Sequence, residues 1–193
     1  MNTINALDDR FFFEIFVTGV YPVIQSAKIV VDVGACNLEY SIAVYPHAEK
    51  IFAIEPHPQR AIDIDGAIKR HGLNKIIACP FALASRSEMR KFGGLSNYGG
   101  SCLDRDDEWV MVKTLTMNDF MGEYGIEHVD VLKVDVEGAE KEIFNGDFPY
   151  EKVDNIFFEV HAGADGVAEI LKEKGFEIDN KHSICMARRA NAR

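Results

Sequence analysis

A carboxylate and a glycine at the end of an apolar run form the first feature of this sequence that could bind a ligand. Asp32 and Gly34 close the stretch KIVVDVG, and Glu55 closes the next apolar run. A glycine allows a tight turn that brings backbone N–H groups beside a ligand. A carboxylate about 20 residues beyond such a turn can accept hydrogen bonds from both hydroxyls of a ribose. Together these residues predict a nucleoside site.

The residues that follow Gly34 decide which nucleoside is favoured. A dinucleotide site uses further glycines so that a pyrophosphate can approach the backbone, whereas this loop has Cys36, Asn37 and Leu38. S-adenosylmethionine carries an adenosine, an amino acid end and a sulfonium, and it has no phosphate. The loop therefore favours S-adenosylmethionine. A nicotinamide-dependent oxidoreductase and a binding module without turnover are the two alternatives.

A second acidic group follows a later apolar run, in the stretch VDVLKVDVEGAEKEIFNG of residues 129–146. On a strand, Lys133, Asp135 and Glu137 share one side by the period of two, and ligands bind at the carboxyl ends of such strands. Two simpler explanations apply here. Lys133 could pair with Glu137 or Glu140, and acidic residues are favoured at the start of a helix by its dipole.

Three residues at strand ends are candidates for a general base. If the ligand is S-adenosylmethionine and the acceptor is a hydroxyl, the protein must align the acceptor oxygen and handle its proton. Asp135 is one candidate, and Glu159 and His161 in the stretch FFEVH are the others. The same three residues could hold a hard metal ion. We expect no metal, because a histidine at a strand end is more often only hydrogen-bonded near the surface.

The elements that must position these residues alternate along the chain. Short apolar runs are each followed by a helical pattern, which predicts a mostly parallel, doubly wound α/β sheet with helices on both faces. Helices should end at Gly72, Gly146 and Gly175. The closing stretches FEID and SICMARR could add an antiparallel pair at one edge. Residues 85–112 break the pattern, so we expect a long loop or irregular hairpin that carries substrate-specific elements.

The N-terminal residues 1–27 are apolar nearly all round at helical spacing. They predict a helix that packs on the sheet, with a substrate lid or a homodimer surface as alternatives. The length of 193 residues suits a single domain, 1–193. The apolar stretch is interrupted by Glu14, Gly19 and Pro22, so we expect no membrane span.

Net charge and cysteine content limit which partners and which cellular compartment we expect. The formal net charge is -10, which disfavours nucleic acid as a partner, since a phosphate backbone selects a basic surface. The four cysteines show no zinc-ligand spacing and no C-x-x-C pair, which fits a reduced cytoplasm.

Four stretches together resemble the FkbM family of S-adenosylmethionine-dependent methyltransferases over roughly residues 28–161: DVGACNLEYS, FAIEPHP, VKTLTMNDF and DVLKVDVEGAEKEIFNG. The resemblance implies a Rossmann-like class I methyltransferase fold and transfer of a methyl group to a hydroxyl of a sugar or small metabolite. The first loop differs from the usual family form at Cys36, where Asn is usual, and at Leu38, where Gly is usual.

The resemblance also implies roles for individual residues. Asp32, Gly34, Ala35 and Asn37 belong to the loop that lines the amino acid end of the cofactor, and Glu55 would bind its ribose. The adenine side would be formed by Pro80, Phe81 and Ala82. Asp135 would lie near the methyl group.

Overall fold

The computed structural model describes residues 21–96, 101–160, 164–181 and 184–190. Of the predicted N-terminal helical segment 1–27, residues 1–20 lie outside the described part. Residues 21–26 are described and are not helical. Among the described helices, none is long and apolar enough to span a membrane.

The parallel core of the predicted sheet is present. Its strands are β1 (Ala27–Val33), β2 (Ala48–Ile54), β3 (Ile76–Cys79), β8 (Val129–Val134) and β9 (Val153–Glu159). The predicted closing pair is β10 (Phe176–Lys181) and β11 (Ile184–Arg189), which are antiparallel. Within the described residues the sheet order is β10–β11–β9–β8–β1–β2–β3. This order places the carboxyl ends of β1, β2 and β8 side by side.

Helices cover both faces of this sheet, as the alternating pattern predicted. Val30 and Val131 face one apolar cluster, which includes residues of α1 (Glu39–Val44) and α2 (Pro58–His71). Val31 and Leu132 face the other cluster, which includes residues of α3 (Met117–Tyr124), α4 (Glu140–Asn145) and α5 (Val167–Glu173). Neighbouring strand residues therefore point to opposite faces, which explains why these strands read as unbroken apolar runs.

The chain between β3 and α3 forms a second, smaller sheet. Its strands are β4 (Ala82–Leu83), β5 (Met89–Gly93), β6 (Cys102–Leu103) and β7 (Val110–Leu115), in the order β4–β7–β5–β6. Much of the predicted irregular stretch 85–112 is thus an antiparallel hairpin, the second of the two forms expected. The strand pattern is weak in the sequence because these strands are short and one face is exposed, including Met89, Trp109 and Met111.

The helix ends agree with the sequence at two of the three predicted glycines. Gly72 and Gly175 have positive φ angles of 64° and 85°. Gly146 follows α4 as predicted but is extended, with φ -78°. A Cβ atom at Gly146 would lie 2.6 Å from the Cα atom of Ser85. The close approach of these two segments, and not a left-handed turn, requires the glycine there.

Candidate functional site

A pocket opens at the carboxyl ends of β1, β2 and β8, and residues of the second sheet complete its lining. About 750 Å³ of space between the lining residues is not filled by atoms, and this figure includes space that is open to solvent. Of the residues assigned to the cofactor from the sequence, Gly34, Glu55, Ala82 and Asp135 line it, and Cys36 and Glu137, which the sequence also singled out, line it as well. The strand-end carboxylates thus converge as the sequence predicted.

Glu55 is buried and already fixed by backbone groups. Its Oε2 accepts a hydrogen bond from Cys36 N at 3.0 Å, and its Oε1 accepts one from His57 N at 2.8 Å. Burial raises the pKa of the Glu55 carboxyl, while the two N–H groups and the charge of Arg60 oppose that rise. Each oxygen of the Glu55 carboxylate accepts one N–H group. Each oxygen therefore keeps a second lone pair that can accept a hydrogen bond from one hydroxyl of a diol.

The first loop uses its own backbone N–H groups within the protein. Gly34 N and Ala35 N both donate to Ile54 O, at 3.0 and 3.1 Å. The next three N–H groups also have internal acceptors: Cys36 N binds Glu55, Asn37 N binds Glu39 Oε2, and Leu38 N binds Ala35 O. A phosphate-binding loop must point such groups at its ligand. This loop presents no row of N–H groups to an anion.

The backbone of the loop keeps conformations that favour glycine, although it has few glycines. Cys36 and Leu38 have φ angles of 48° and 69°. Leu38 precedes α1 and is 2% exposed, so its side chain is part of the core. Burial raises the pKa of the Cys36 thiol to about 11, so this residue is an uncharged thiol at neutral pH. Of the two residues that differ from the usual family form, Leu38 is thus packed in the core, and Cys36 lines the pocket as a neutral thiol.

Gly34 is required by the neighbouring strand end. Its φ is 74°, and a Cβ atom would lie 1.9 Å from the carbonyl oxygen of Asp135. Asp135 N in turn donates to Val33 O at 3.1 Å. The loop after β1 and the segment after β8 are therefore in backbone contact, which holds two walls of the pocket together.

Asp32 does not line the pocket and has structural partners instead. It is fully buried, and its Oδ2 accepts from Ser41 N at 3.1 Å and from Ser41 Oγ at 2.7 Å. These bonds hold the first turn of α1 against the end of β1. Asp32 was predicted to line the cofactor. In the structure it lies behind the residues that line the pocket.

Lys133 links this carboxylate to Asp135. Its Nζ lies 3.3 Å from Asp32 Oδ1 and 3.6 Å from Asp135 Oδ2, and it donates to Gly34 O at 2.8 Å. The sequence suggested that Lys133 pairs with Glu137 or Glu140. In the structure it pairs with the two aspartates, because β8 lies beside β1 with Lys133 in register with Asp32. Burial acts to lower the pKa of Lys133, but the two aspartates outweigh it and raise the pKa.

Asp135 also accepts a hydrogen bond from a residue that the sequence analysis did not single out. Tyr21 Oη donates to Asp135 Oδ2 at 3.2 Å, and Lys133 Nζ lies 5.6 Å from the centroid of the Tyr21 ring. Burial, and then the nearby charges of Asp135 and Glu159, raise the pKa of Tyr21 well above its usual value. Tyr21, Lys133 and Asp135 thus form one hydrogen-bonded and ionic group beside the pocket.

The other predicted site residues are placed as follows. Ala35 and Asn37 serve the loop through their backbone N–H groups and do not line the pocket. Of the three adenine-side residues, Pro80 is exposed and Phe81 packs in the core against Phe120 and Tyr124. Ala82 and its neighbour Leu83 line the pocket.

Glu159 ends β9 and is half-buried, close enough to Tyr21 to act on its pKa. His161 lies outside the described residues, so the predicted group of Asp135, Glu159 and His161 is placed only in part. One other group in the described part has metal-ligand types: His128, Asp130 and Asp154, near the amino ends of β8 and β9. Asp154 binds His128 at 2.9 Å, and Asp130 accepts from Lys28 N and Ile29 N. These hydrogen bonds account for the three residues as structural contacts at the amino ends of the strands, which is the end of the sheet opposite the pocket.

Several pocket residues were not found from the sequence. Arg60 lines the pocket and is 7% exposed, on the first turn of α2. Phe92, Cys102 and Leu103 line it from the second sheet. For the pocket residues of the second sheet, the sequence offered one signal: residues 85–112 were expected to form a loop or irregular hairpin that carries substrate-specific elements. Arg60 gave no signal in the sequence, because an arginine at a helix start is usually exposed.

Comparison with known proteins identifies the family once this geometry is set beside the sequence match. Residues 32–178 match the Methyltransferase FkbM domain. The chain belongs to the FkbM methyltransferase family. The match includes the first loop, Glu55, the second sheet and the segment around Asp135.

Solved structures share the fold of this FkbM methyltransferase at low sequence identity. The FkbM methyltransferase from Methylobacillus flagellatus KT superposes with a TM-score of 0.63 at 14% identity, over 92% of this chain and 47% of that one. M. capricolum TrmK, solved with S-adenosylhomocysteine, gives a TM-score of 0.57 at 10% identity, over 91% of this chain and 68% of that one. Streptococcus mutans SMU.1697c, also solved with S-adenosylhomocysteine, gives 0.51 at 10% identity, over 97% and 99% of the two chains. The fold is that of a Rossmann-like class I methyltransferase, as predicted.

One curated relative matches over a shorter stretch. The AMB antimetabolite synthetase AmbE of Pseudomonas aeruginosa is 38% identical over 72 residues, which is 32% of this chain and 3% of AmbE. The chain thus spans only a small part of that relative and about half of the Methylobacillus protein.

Proposed function

We propose that this FkbM methyltransferase transfers a methyl group from S-adenosylmethionine to a hydroxyl of a sugar or small metabolite. S-adenosylmethionine is the cofactor of the family, in agreement with the sequence prediction. When bound, it supplies an electrophilic methyl group on a sulfonium. The observation that carries the proposal for this chain is the first loop, whose N–H groups are used internally while a buried carboxylate faces the pocket.

The pocket residues fit a ligand with a diol and a positive charge. Glu55 would hold the ribose hydroxyls, since each of its oxygens keeps a lone pair after binding one N–H group. Ala82 and Leu83 offer an apolar surface for the adenine, and Gly34 lies at the amino acid end. Asp135 and Glu137 supply negative charge at the end of β8 that suits a sulfonium and an ammonium.

Asp135 is the proposed base or orienting group for the acceptor hydroxyl. It lines the pocket, and its Oδ2 is held by Tyr21 and Lys133, so the orientation of the carboxylate is fixed. A fixed carboxylate can accept the acceptor's proton without first reorganising. Glu159 and His161 remain proposed as further groups on this side. No metal is assigned to the site.

The proposal has two rivals. A nicotinamide-dependent oxidoreductase needs a loop that binds a pyrophosphate, and the internal hydrogen bonds of residues 34–38 oppose it. A binding module without turnover would keep Glu55 but lack an acceptor site. The ordered group of Tyr21, Lys133 and Asp135 beside the pocket favours the enzyme, because a module that only binds needs no such group.

The test is calorimetric titration of the protein with S-adenosylhomocysteine and, in parallel, with NADH. We expect S-adenosylhomocysteine to bind and NADH not to bind. Glu55→Gln should weaken binding at least tenfold, because the amide loses the charge that holds the diol. Glu173→Gln, an exposed residue at the end of α5, is the matched control and should leave binding unchanged. Binding of NADH alone would contradict the proposal.

The acceptor class is tested by production of S-adenosylhomocysteine. The protein is incubated with S-adenosylmethionine and panels of sugars, other small hydroxyl compounds and amines. We expect turnover with a hydroxyl compound, and we expect Asp135→Asn to lower that turnover more than it lowers donor affinity. Turnover with amines alone would exclude methylation at oxygen, and equal turnover in the Asp135→Asn variant would remove that residue from the reaction.

A further inference from the structure

Tyr21 contacts a pocket residue although it does not line the pocket itself. Its Oη donates a hydrogen bond to Asp135 Oδ2 at 3.2 Å, and Asp135 lines the pocket at the end of β8. Tyr21 is 6% exposed and precedes β1 in the chain. A residue of the segment before the first strand is therefore in direct contact with the carboxylate that we propose acts on the acceptor.

Tyr21 and Lys133 both approach Asp135 Oδ2, but they differ in what they contribute. Lys133 Nζ lies 3.6 Å from this oxygen, beyond ordinary hydrogen-bond distance, and it donates to Gly34 O at 2.8 Å. Lys133 therefore acts on Asp135 mainly through its charge. The Tyr21 hydroxyl is within hydrogen-bond distance, and a hydrogen bond depends on direction as well as on distance. Of the two, Tyr21 is thus the partner that constrains where the carboxylate points.

The Tyr21 hydroxyl is a donor at neutral pH. Burial raises its pKa well above the usual value, and the charges of Asp135 and Glu159 raise it further. A phenol with a raised pKa is protonated at neutral pH, so it can give its hydrogen to the carboxylate. Tyr21 therefore stands beside Asp135 as a neutral donor.

Packing accounts for the ring of Tyr21 but not for its hydroxyl. The ring meets the Tyr40 ring edge-on with centroids 5.7 Å apart, and Lys133 Nζ lies 5.6 Å from the Tyr21 centroid. A phenylalanine would keep both ring contacts. A buried hydroxyl costs free energy unless it has a hydrogen-bond partner, and the partner here is a carboxylate that lines the pocket. The hydroxyl is therefore the part of Tyr21 whose function must be sought in the pocket.

The helix that follows the first loop supports this arrangement. Tyr40 lies on α1 and is 2% exposed, and its Oη donates to Pro22 O at 3.2 Å, next to Tyr21. The following residue, Ser41, binds Asp32, the buried partner of the lysine. Two consecutive residues of α1 thus support the two groups that hold the pocket carboxylate.

We propose that Tyr21 is a positioning residue for methyl transfer, whose hydroxyl orients the Asp135 carboxylate toward the acceptor. This inference rests on the proposed function, in which Asp135 is the base or orienting group. It extends the site to the segment before β1, outside the strand-end loops that the sequence singled out.

The main test compares Tyr21→Phe with wild type in two assays. One follows production of S-adenosylhomocysteine with the hydroxyl compound that the acceptor panel selects, and the other is calorimetric titration with S-adenosylhomocysteine. We expect kcat to fall by about tenfold, because misplacement of a reacting group by about 1 Å can cost about a hundredfold. Donor affinity should stay within about twofold, since Tyr21 does not line the pocket. Tyr45→Phe removes an exposed hydroxyl that binds Asn74, and as the matched control it should change neither quantity.

A double-mutant cycle tests whether Tyr21 acts through Asp135. In the Asp135→Asn background, Tyr21→Phe should lower the remaining turnover by no more than about twofold, since the carboxylate that it orients is gone. Wild-type turnover in Tyr21→Phe would overturn the inference. So would a loss of donor affinity as large as the loss of kcat, or a full loss of turnover that persists in the Asp135→Asn background. Circular dichroism and thermal unfolding confirm that each variant is folded before the comparison.

Failure of this inference can be told apart from failure of the proposed function. If wild type neither binds S-adenosylhomocysteine nor methylates any compound of the panel, the proposed function fails. The contact is still measured in the ligand-free protein by NMR of tyrosines labelled with ¹³C at Cζ, with the Tyr21 signal identified by its absence in Tyr21→Phe. Asp135→Asn should move the Tyr21 signal and leave that of Tyr45 in place. A Tyr21 signal that does not move would show that its hydroxyl is not bound to Asp135 and would overturn the inference.

Discussion

Leu38 shows how a single residue can keep a glycine conformation while it adds to the core. Its φ of 69° costs a residue with a Cβ atom about 1 kcal/mol or more. Its side chain is 2% exposed, and burial of a leucine stabilises a protein by about 2–3 kcal/mol. The burial outweighs the strain, so the loop tolerates the change from the usual glycine.

Substitution of Leu38 should separate these two effects. Leu38→Ala and Leu38→Gly both lose the buried side chain and should each lower the free energy of unfolding by about 2–4 kcal/mol. Because glycine relieves the strain, Leu38→Gly should be the more stable of the two by about 1 kcal/mol, the reverse of the usual order in a helix. Urea denaturation of the three proteins measures both differences. An alanine variant as stable as the glycine variant would show that the backbone is not strained.

Lys133 is the residue whose loss should cost the most stability. It is 4% exposed, and its removal leaves the fully buried Asp32 without its cation. We expect Lys133→Met to lower the free energy of unfolding by about 3–5 kcal/mol, since an uncompensated buried charge remains. Thermal and urea unfolding measure the change.

An exposed ion pair provides the control for this prediction. Lys113 pairs with Glu123 at 2.8 Å, with both side chains 47% exposed. Lys113→Met should cost no more than about 1 kcal/mol. Asp32→Asn combined with Lys133→Met should recover part of the loss. A Lys133→Met variant as stable as Lys113→Met would mean that the buried pair contributes little.

The residues that could be predicted from the sequence are those at strand ends. Gly34, Glu55 and Asp135 follow apolar runs directly, and parallel strands bring their carboxyl ends together, so their convergence was predictable. Arg60 and Tyr21 were not, because their roles depend on how a helix start and an N-terminal segment pack against those ends. The pairing of Lys133 with Asp32 depends on strand register, which the sequence pattern does not specify.

At the scale of elements, the main sheet was predictable and the second sheet was not. Strands such as β1 and β8 are buried on both faces, so they read as apolar runs with helices between them. Strands β4 and β6 have only two residues each, and the exposed part of β5 contains charged residues. The turn residues between these short strands obscure the alternating apolar pattern that would identify the strands in the sequence. The second sheet matters for function, because it completes the lining of the pocket.

A single histidine connects the second sheet to the ribose end of the pocket. His57 Nε2 lies 3.1 Å from Leu95 O, and its ring packs edge-on to Phe92 with centroids 6.4 Å apart. Its Nδ1 accepts from Arg60 N at the start of α2. His57 therefore both caps a helix and holds the hairpin over the pocket.

Two substitutions of His57 should distinguish these functions. Asn is a good helix cap, so His57→Asn should keep the stability within about 0.5 kcal/mol but lose the bond to Leu95. His57→Ala loses the cap as well and should cost about 1 kcal/mol more. Hydrogen exchange of the Gly94 and Leu95 amides should be faster in both variants. Exchange as slow as in wild type would show that the hairpin does not depend on His57.

At the scale of the whole molecule, net charge bears on which class of acceptor the protein can bind. An rRNA methylase from Streptococcus thermophilus superposes with a TM-score of 0.51 at 11% identity, which shows a shared fold and no more. The present chain has a net charge of -10. A negative net charge disfavours binding to a phosphate backbone.

The prediction that belongs to this scale is the absence of RNA binding. A protein that binds a phosphate backbone with several cations loses affinity steeply as salt rises, because counterions are released. With an excess of carboxylates, this chain should show no such salt-dependent binding. Fluorescence anisotropy of labelled transfer RNA and of a ribosomal RNA fragment, at about 50 and 200 mM salt, measures it, with a basic RNA-binding domain as positive control. Micromolar binding at the lower salt that disappears at the higher would reveal a basic surface and would move the acceptor from small hydroxyl compounds to RNA. A flat baseline at both salts, together with binding of S-adenosylhomocysteine, would leave the pocket beside Asp135 as the place where the acceptor must be sought.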